Sequence, residues 1–267
     1  MEFETITYEV ADRVATITLN RPRQLNAINK AMMRELAVAY DAAEADEDVW
    51  LVLITGSGRA FCTGADVTEI PTDGGNLADT PYLSTYDQWE APQEATPPFR
   101  TMAKPIIAAV NGICCGAGLD LVTTTDIVIA SERAEFFDPH VSIGVVSGRE
   151  CVRLARVLPR TVALRIALTG RHERLGARRA YDLGLVTEVV PHDDLLARAR
   201  EVAAIVNRNA PLAVRGTRLA IHKSLDLPLH EGELLAESFR ERVKRTEDSL
   251  EGPRAFVEKR EPVWRAR

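Results

Sequence analysis

The sequence predicts an α/β fold, a spiral of repeated β-β-α turns followed by a C-terminal helical region. Three observations carry this. Continuous apolar runs of strand length recur as "VWLVLITG", "KPIIAAVNG" and "TDIVIASE", and the first two lead into small-residue turns and helix-like segments. The marks of a doubly wound nucleotide-binding sheet are missing. "GSGRAFCTG" lacks the third glycine of GxGxxG and the acid about 20 residues on that ends a second strand, and no Walker motif appears. From Thr161 onward the pattern is helical, which sets a spiral domain at 1–205 ahead of a helical assembly region at 206–267.

In chain order, "ETITYEVADRVATITLN" alternates apolar and polar residues about the turn-like "ADR" and reads as a half-buried antiparallel hairpin. Apolar residues at helical spacing over 28–43 predict a helix, with Asn26 or Asn29 as its cap. "DVWLVLITGSG" is a short apolar run ending in glycines, a strand buried on both faces. The stretch 71–100 departs from this regularity. It holds Pro71, Pro81, Pro92, Pro97 and Pro98, a Gly74-Gly75 pair, and the aromatics Tyr82, Tyr86 and Trp89. It reads either as a surface insertion or as a mobile wall over a substrate pocket. The segments "TVALRIALTG", "GARRAYDLGLV", "LLARAREVAAIVNRN", "LAVRGTRLAIHKSL" and "LAESFRERVKRTEDSLEGPRAFVEKR" complete the chain as helices.

Composition narrows the function classes. The chain has 267 residues, 46% hydrophobic and 27% charged, with a net charge of −6. No global basic field points to nucleic acid or an anionic membrane as partner. The arginines within 149–179 read as a solvated helix face. No run of about 18 apolar residues predicts a transmembrane helix, and the acidic, alternating "MEFETITYEV" does not fit a signal peptide. Cys62, Cys114, Cys115 and Cys151 show no CxxC spacing. They read as reduced small hydrophobes in a cytoplasmic protein, and no metal site is expected.

The richest stretch is "NGICCGAGLDLVTTTD", residues 111–126. Small residues at a strand-to-helix junction let a ligand atom reach main-chain N–H groups, and the helix N-terminus adds a positive partial charge. Two N–H groups facing one point make an oxyanion hole. Ala117 N–H is one candidate. "FCTGAD", residues 61–66, follows the preceding buried strand and offers Ala65 N–H as the other. Close strand–helix packing explains one such turn; two after successive buried strands point to function.

"TGSGRAFCTGADVTEI" together with "KPIIAAVNGICCGAGLDL" resembles the crotonase superfamily, the enoyl-CoA hydratase/isomerase family. "LNRPRQLNAIN", "LTGRHERLGARRAYDLGLVTEVVP" and "EGPRAFVEKREPVW" extend the resemblance over nearly the whole chain. The resemblance implies a crotonase-like β-β-α spiral, a C-terminal helical trimerisation region, and a homotrimer or a hexamer built as a dimer of trimers. It implies an acyl-CoA substrate whose thioester oxygen sits between Ala65 N–H and Ala117 N–H, so that the acidic α-carbon supports an enolate. Coenzyme A enters only as part of the substrate. Phe256 and Lys259 of the tail are implied to reach the nucleotide of a neighbouring subunit, and Arg23 and Ala65 join them as CoA-contacting residues.

The sequence departs from the family where its hydratases carry two glutamates. The first falls nine residues after the Asn of the NG pair, which is Asp120 here. The second follows a proline, and "FFDPHVSIG" puts His140 there. Asp120 is one methylene shorter than Glu, and His140 can act as general base or acid near neutral pH. A His–Asp pair, Asp120 with His140, is one way to activate water. Packing alone would make His140 a core histidine and Asp120 a helix N-terminal acid. Asp138 reads as a turn residue before Pro139, and Glu150 is a candidate by position. Three classes follow. The first is a family enzyme, lyase or isomerase, acting on an acyl-CoA with Asp120 and His140 in place of the glutamates. The second is a C–C bond hydrolase of a β-diketone (6-oxocamphor-hydrolase-like). The third is a catalytically silent binding member. The hydrolases carry an acid about nine residues after their histidine; here that position is Arg149, and Glu150 is one step later.

Overall fold

The computed structural model describes residues 2–69 and 102–267; the proline-rich stretch expected to wall the pocket lies outside the described residues. The chain opens with the expected hairpin. β1 (Ile6–Ala11) and β2 (Val14–Leu19) pair antiparallel from Ile6 against Leu19 to Ala11 against Val14. The two turn residues, Asp12 and Arg13, have φ of 50° and 66°. That mirror-image turn matches the twist of the strands. α1 (Lys30–Ala45) begins at Asn29, whose side chain accepts from Met32 N at 2.8 Å, and buries Met32, Leu36, Ala39, Tyr40 and Ala43 along one face. Asn26 is not a cap. It is buried, and its Nδ2 donates to the carbonyls of Ser57 and Ala60 at 2.9 and 2.8 Å.

Three strand pairs then repeat: β3 (Leu51–Gly56) with β4 (Ala60–Cys62), β5 (Ile106–Val110) with β6 (Ile113–Cys115), and β7 (Ile127–Ser131) with β8 (Glu135–Phe137). α2 (Ala117–Thr123) follows the second pair, and α3 (Arg149–Val157) and α4 (Arg160–Thr169) follow the third. β9 (Leu175–Gly176), α5 (Ala177–Asp182), β10 (Glu188–Val190) and α6 (Leu195–Asn207) complete the spiral. Each pair places one strand in each of two sheets. The larger runs β1-β2-β3-β5-β7-β10 and the smaller β4-β6-β8-β9. All neighbours are parallel except β1–β2 and β8–β9.

The continuous apolar runs follow from burial on both faces. Leu51, Leu53, Ile107, Ala109 and Ile129 pack with Leu195, Ala199 and Ala203 of α6. Val52, Ile54, Ile106, Ala108 and Val110 face the other way, into the core shared with α1. Each fully buried large aliphatic side chain contributes about 1.5–3 kcal/mol, and the buried Thr55 of β3 is accommodated by donating its hydroxyl to Ala109 O at 2.8 Å.

α7 (Pro211–Ser224), α8 (Leu229–Val243) and α9 (Glu247–Glu258) form the C-terminal helices. One polar cluster ties α7 to the spiral. Asp126, just ahead of β7, accepts from Ile106 N at 2.6 Å, from Arg218 Nε at 2.8 and 2.9 Å, and pairs with His222 Nε2 at 2.6 Å. α8 buries only Gly232 and leaves Leu229 and Leu234 exposed, as are Leu250, Phe256 and Val257 of α9. Among the described residues, no helix is long and apolar enough to cross a membrane.

Candidate active site

The smaller sheet brings the candidate residues together. β4, β6 and β8 are parallel neighbours, with Cys62 opposite Cys114 and Cys115 opposite Phe137. Their C-terminal ends therefore lie side by side and carry residues 63–65, 116–117 and 138–140. The carboxyl ends of parallel strands are where α/β sheets bind ligands.

The stripped backbone has a geometric cause. Gly64 and Gly116 have φ of 91° and 54°, a region side chains disfavour. A β-carbon on Gly116 would lie 3.4 Å from Gly64 Cα and 3.8 Å from His140 Cε1, and one on Gly64 would lie 3.4 Å from the Ala117 nitrogen. The two turns and His140 thus meet at one point. Ile28 N donates to Gly64 O at 2.8 Å and Asp66 N donates to Ile28 O at 2.9 Å, in a parallel bridge centred on Ala65. Extended backbone alternates its N–H direction, so Ala65 N–H points away from Ile28. Ala117 opens α2, and its N–H has no acceptor within the helix.

Two residues not singled out by sequence brace that bridge. Arg21 Nη1 donates to Asp66 Oδ2 at 2.8 Å and to Ala27 O at 2.6 Å. Asp66 also accepts from Thr68 Oγ1 at 2.6 Å. These contacts, Thr68 first and Arg21 next, hold its carboxyl below the usual range. The signal available was the "NRP…NA" motif itself, in which Arg21 stands ahead of the expected Arg23.

His140 opens a 3-10 turn (His140–Ile143) after β8. Its Nδ1 bonds Asp138 Oδ1, and its backbone N donates to the same oxygen at 3.1 Å. Asp138 is fully buried, so it is not the simple turn residue that its place before Pro139 suggests. The hydrogen bond to Asp138 lifts the His140 pKa above its ordinary value, burial opposes this, and the charges of Asp138 and Glu150 add to the rise. Burial pushes Asp138 up, yet its hydrogen bonds from His140 and Ser147 outweigh that and hold it below the usual carboxylate range. Among the described residues His140 Nε2 has no bonded partner.

The expected Asp120–His140 pair does not form. Asp120, buried in the first turn of α2, is bonded by Arg153 Nη1 and lies 3.8 Å from Arg149 Nε. The packing of α2 on α3 decides this, because α3 lays its arginine face over the start of α2. Glu150, in the first turn of α3, is buried and its carboxylate makes no hydrogen bond among the described residues, while its charge acts on His140. Burial pushes the Cys62 and Cys115 thiols up to about 12, which removes them as nucleophiles near neutral pH.

The expected CoA-contacting side chains stand apart from this cluster. Arg23 is exposed in the 3-10 turn Pro22–Gln24. Phe256 is 85% exposed on α9, and Lys259 is that helix's C-cap at φ 55°. Neither tail residue bonds the strand-end cluster among the described residues. No group of three or more His, Cys, Asp or Glu among the described residues is arranged to hold a metal ion.

The family model described as enoyl-CoA hydratase/isomerase matches residues 9–267. A solved enoyl-CoA hydratase/isomerase from Mycobacterium paratuberculosis is 70% identical, with a TM-score of 0.91 and full coverage of both chains. A relative described as "Probable enoyl-CoA hydratase echA8" from Mycobacterium tuberculosis is 37% identical over 99% of each chain. The "Mevalonyl-coenzyme A hydratase sidH" of Aspergillus fumigatus is 37% identical over 94% of this chain and 91% of its own.

Proposed function

The chain belongs to the enoyl-CoA hydratase/isomerase family, and on that footing we propose that it acts on an acyl-CoA thioester through an enolate, with His140 as the acid–base group. The observation that carries this is the meeting of Gly64, Gly116 and His140 at the strand ends. In this reading the thioester oxygen takes hydrogen bonds from Ala65 N–H and Ala117 N–H, which stabilise charge as the α-carbon loses a proton. His140 Nε2 takes that proton and returns it at the position the reaction requires. Glu150 is the nearby carboxylate, and Asp120 acts through its arginine partners rather than on water. A standard hydratase needs two carboxylates on one water, so hydration of crotonyl-CoA is expected to be slow.

The Asp138–His140 dyad favours a second reading, water activation for C–C bond hydrolysis of a β-diketone. Calorimetric titration separates the two. An acyl-CoA is expected to bind roughly tenfold or more tighter than its matched free acid, since one charge-assisted hydrogen bond contributes about 1.5–3 kcal/mol. The exposed Phe256, Lys259 and Arg23 motivate this. Equal binding of acid and thioester would overturn the CoA reading and leave the hydrolase.

The exposed apolar side chains of α8 and α9, with Leu229 at 80% and Val257 at 78%, support assembly through the C-terminal helices as a homotrimer or hexamer. Light scattering at micromolar concentration is expected to give one of these masses; a clean monomer would refute it.

A further inference from the structure

Three side chains form a line behind the strand-end turns. Ser147 Oγ donates to Asp138 Oδ2, and Asp138 Oδ1 bonds His140 at Nδ1 while accepting from its backbone N at 3.1 Å. Exposure falls steeply along it: the side chain of His140 is 23% exposed and that of Asp138 0%. Both carboxylate oxygens are therefore engaged by protein. A turn before Pro139 needs no carboxylate, and burying one is costly unless it is paired and hydrogen-bonded. Here the pairing is complete, and its one outlet is the imidazole.

The line also joins separate elements. Asp138 follows β8, and Ser147 lies just ahead of α3, nine positions along the chain. The same start of α3 carries Glu150, whose charge together with that of Asp138 acts on His140. Asp120 is excluded as the partner, being held by Arg153.

We propose that Asp138 and Ser147 are positioning residues for proton transfer by His140: Ser147 fixes the carboxylate, and the carboxylate holds the imidazole with Nδ1 inward, Cε1 beside Gly116 and Nε2 left unbonded. This rests on the reading of His140 as the acid–base group. When Nε2 takes a proton, the ring becomes an imidazolium carrying hydrogens on both nitrogens. Asp138 stabilises that charge without taking a proton, and Nε2 later releases the same proton. An amide at 138 would keep its oxygen toward the His140 backbone N–H and Nδ1–H and turn its NH2 to Ser147 Oγ, so it preserves the tautomer and removes only the negative charge.

The test uses the full-length protein with isotope-labelled histidine, His140 being assigned through His140→Gln. In the wild type, His140 is expected to stay protonated above the ordinary value of about 6.5 and, when neutral, to carry its hydrogen on Nδ1. In Asp138→Asn its midpoint is expected to fall by about one pH unit or more with the tautomer kept. On the best substrate of a panel of enoyl-, dienoyl- and β-ketoacyl-CoAs, kcat is expected to fall by roughly 10²-fold or more with KM nearly unchanged. Ser147→Ala is expected to lower kcat roughly two- to tenfold, the worth of one net hydrogen bond, and Ser147→Thr to restore it. If the His140 titration in Asp138→Asn matches the wild type, the positioning role is overturned whatever the rates do. If Asp138→Asn does not fold, an unchanged kcat in Ser147→Ala overturns it. If the titration moves and no substrate loses rate, the hydrogen-bonded line stands and the assignment of His140 to the reaction falls.

Discussion

Replacing His140 with alanine is expected to lower turnover of the best substrate by roughly 10²–10⁴-fold, the range of a general acid–base group, while leaving thioester affinity nearly unchanged. The separation follows from where the interactions lie. In the proposed reading, ground-state binding draws on the exposed Phe256, Lys259 and Arg23 and on backbone N–H groups at Ala65 and Ala117, and none of these is deleted. Only the proton-transfer group is lost. The pH dependence carries its own sign. His140 acts as a base only when neutral, and its pKa is raised by Asp138 and Glu150. The wild-type kcat/KM is therefore expected to rise with pH through an ionisation above the ordinary histidine value of about 6.5, and that limb should vanish in His140→Ala. A pH–rate profile of both proteins on enoyl-, dienoyl- and β-ketoacyl-CoAs and a cyclic β-diketone measures this. Full activity of His140→Ala would make His140 a packed core residue. A fast rate with crotonyl-CoA would refute the reading of the replaced glutamates.

Replacing Asp126 with alanine is expected to destabilise the protein by about 3–5 kcal/mol, the cost of leaving buried partners without their counter-charge. One carboxylate serves Ile106 N, Arg218 and His222 at once, and the Arg218 side chain is 8% exposed. Burial pushes the Asp126 pKa up, but His222 and Arg218 pull it below the ordinary carboxylate value. A depressed carboxylate contributes stability that is present above its unfolded pKa of about 3.9 and lost as pH falls through the folded value. Urea unfolding at fixed protein concentration is therefore expected to show the full deficit at pH 7 and a shrinking one below about pH 4. A deficit under 1 kcal/mol at pH 7 would show that α7 is held by packing alone.

Much of the spiral was legible in the chain because its strands are buried on both faces. Val52 and Ile54 turn one way and Leu51 and Leu53 the other, so the run is unbroken and needs no partner to be recognised. The glycine turns were legible because Gly64 and Gly116 answer a local demand, positive φ and close approach. Of the two caps the sequence allows, Asn29 takes the place and Asn26 does not. The role of Asn26 is to span carbonyls more than thirty residues away, and nothing in the local pattern distinguishes that from capping. Arg21 was passed over for Arg23 because only the fold brings Asp66 to it.

By itself, with a family resemblance marking His140 at the place expected for a glutamate, the sequence determined the order of elements and the two bare turns. These depend on local sterics and on apolar periodicity, both written in neighbouring residues. The tertiary structure alone decided which acid serves that histidine. Asp120 and Asp138 are equally acidic on paper. The packing of α3 against α2 gives Asp120 to Arg153, thirty-three positions away. The parallel pairing of β6 with β8 sets His140 against Gly116, and Ser147 closes over the buried Asp138. A carboxylate's partner depends on which charges share its low-dielectric surroundings, and only the folded chain brings those charges together.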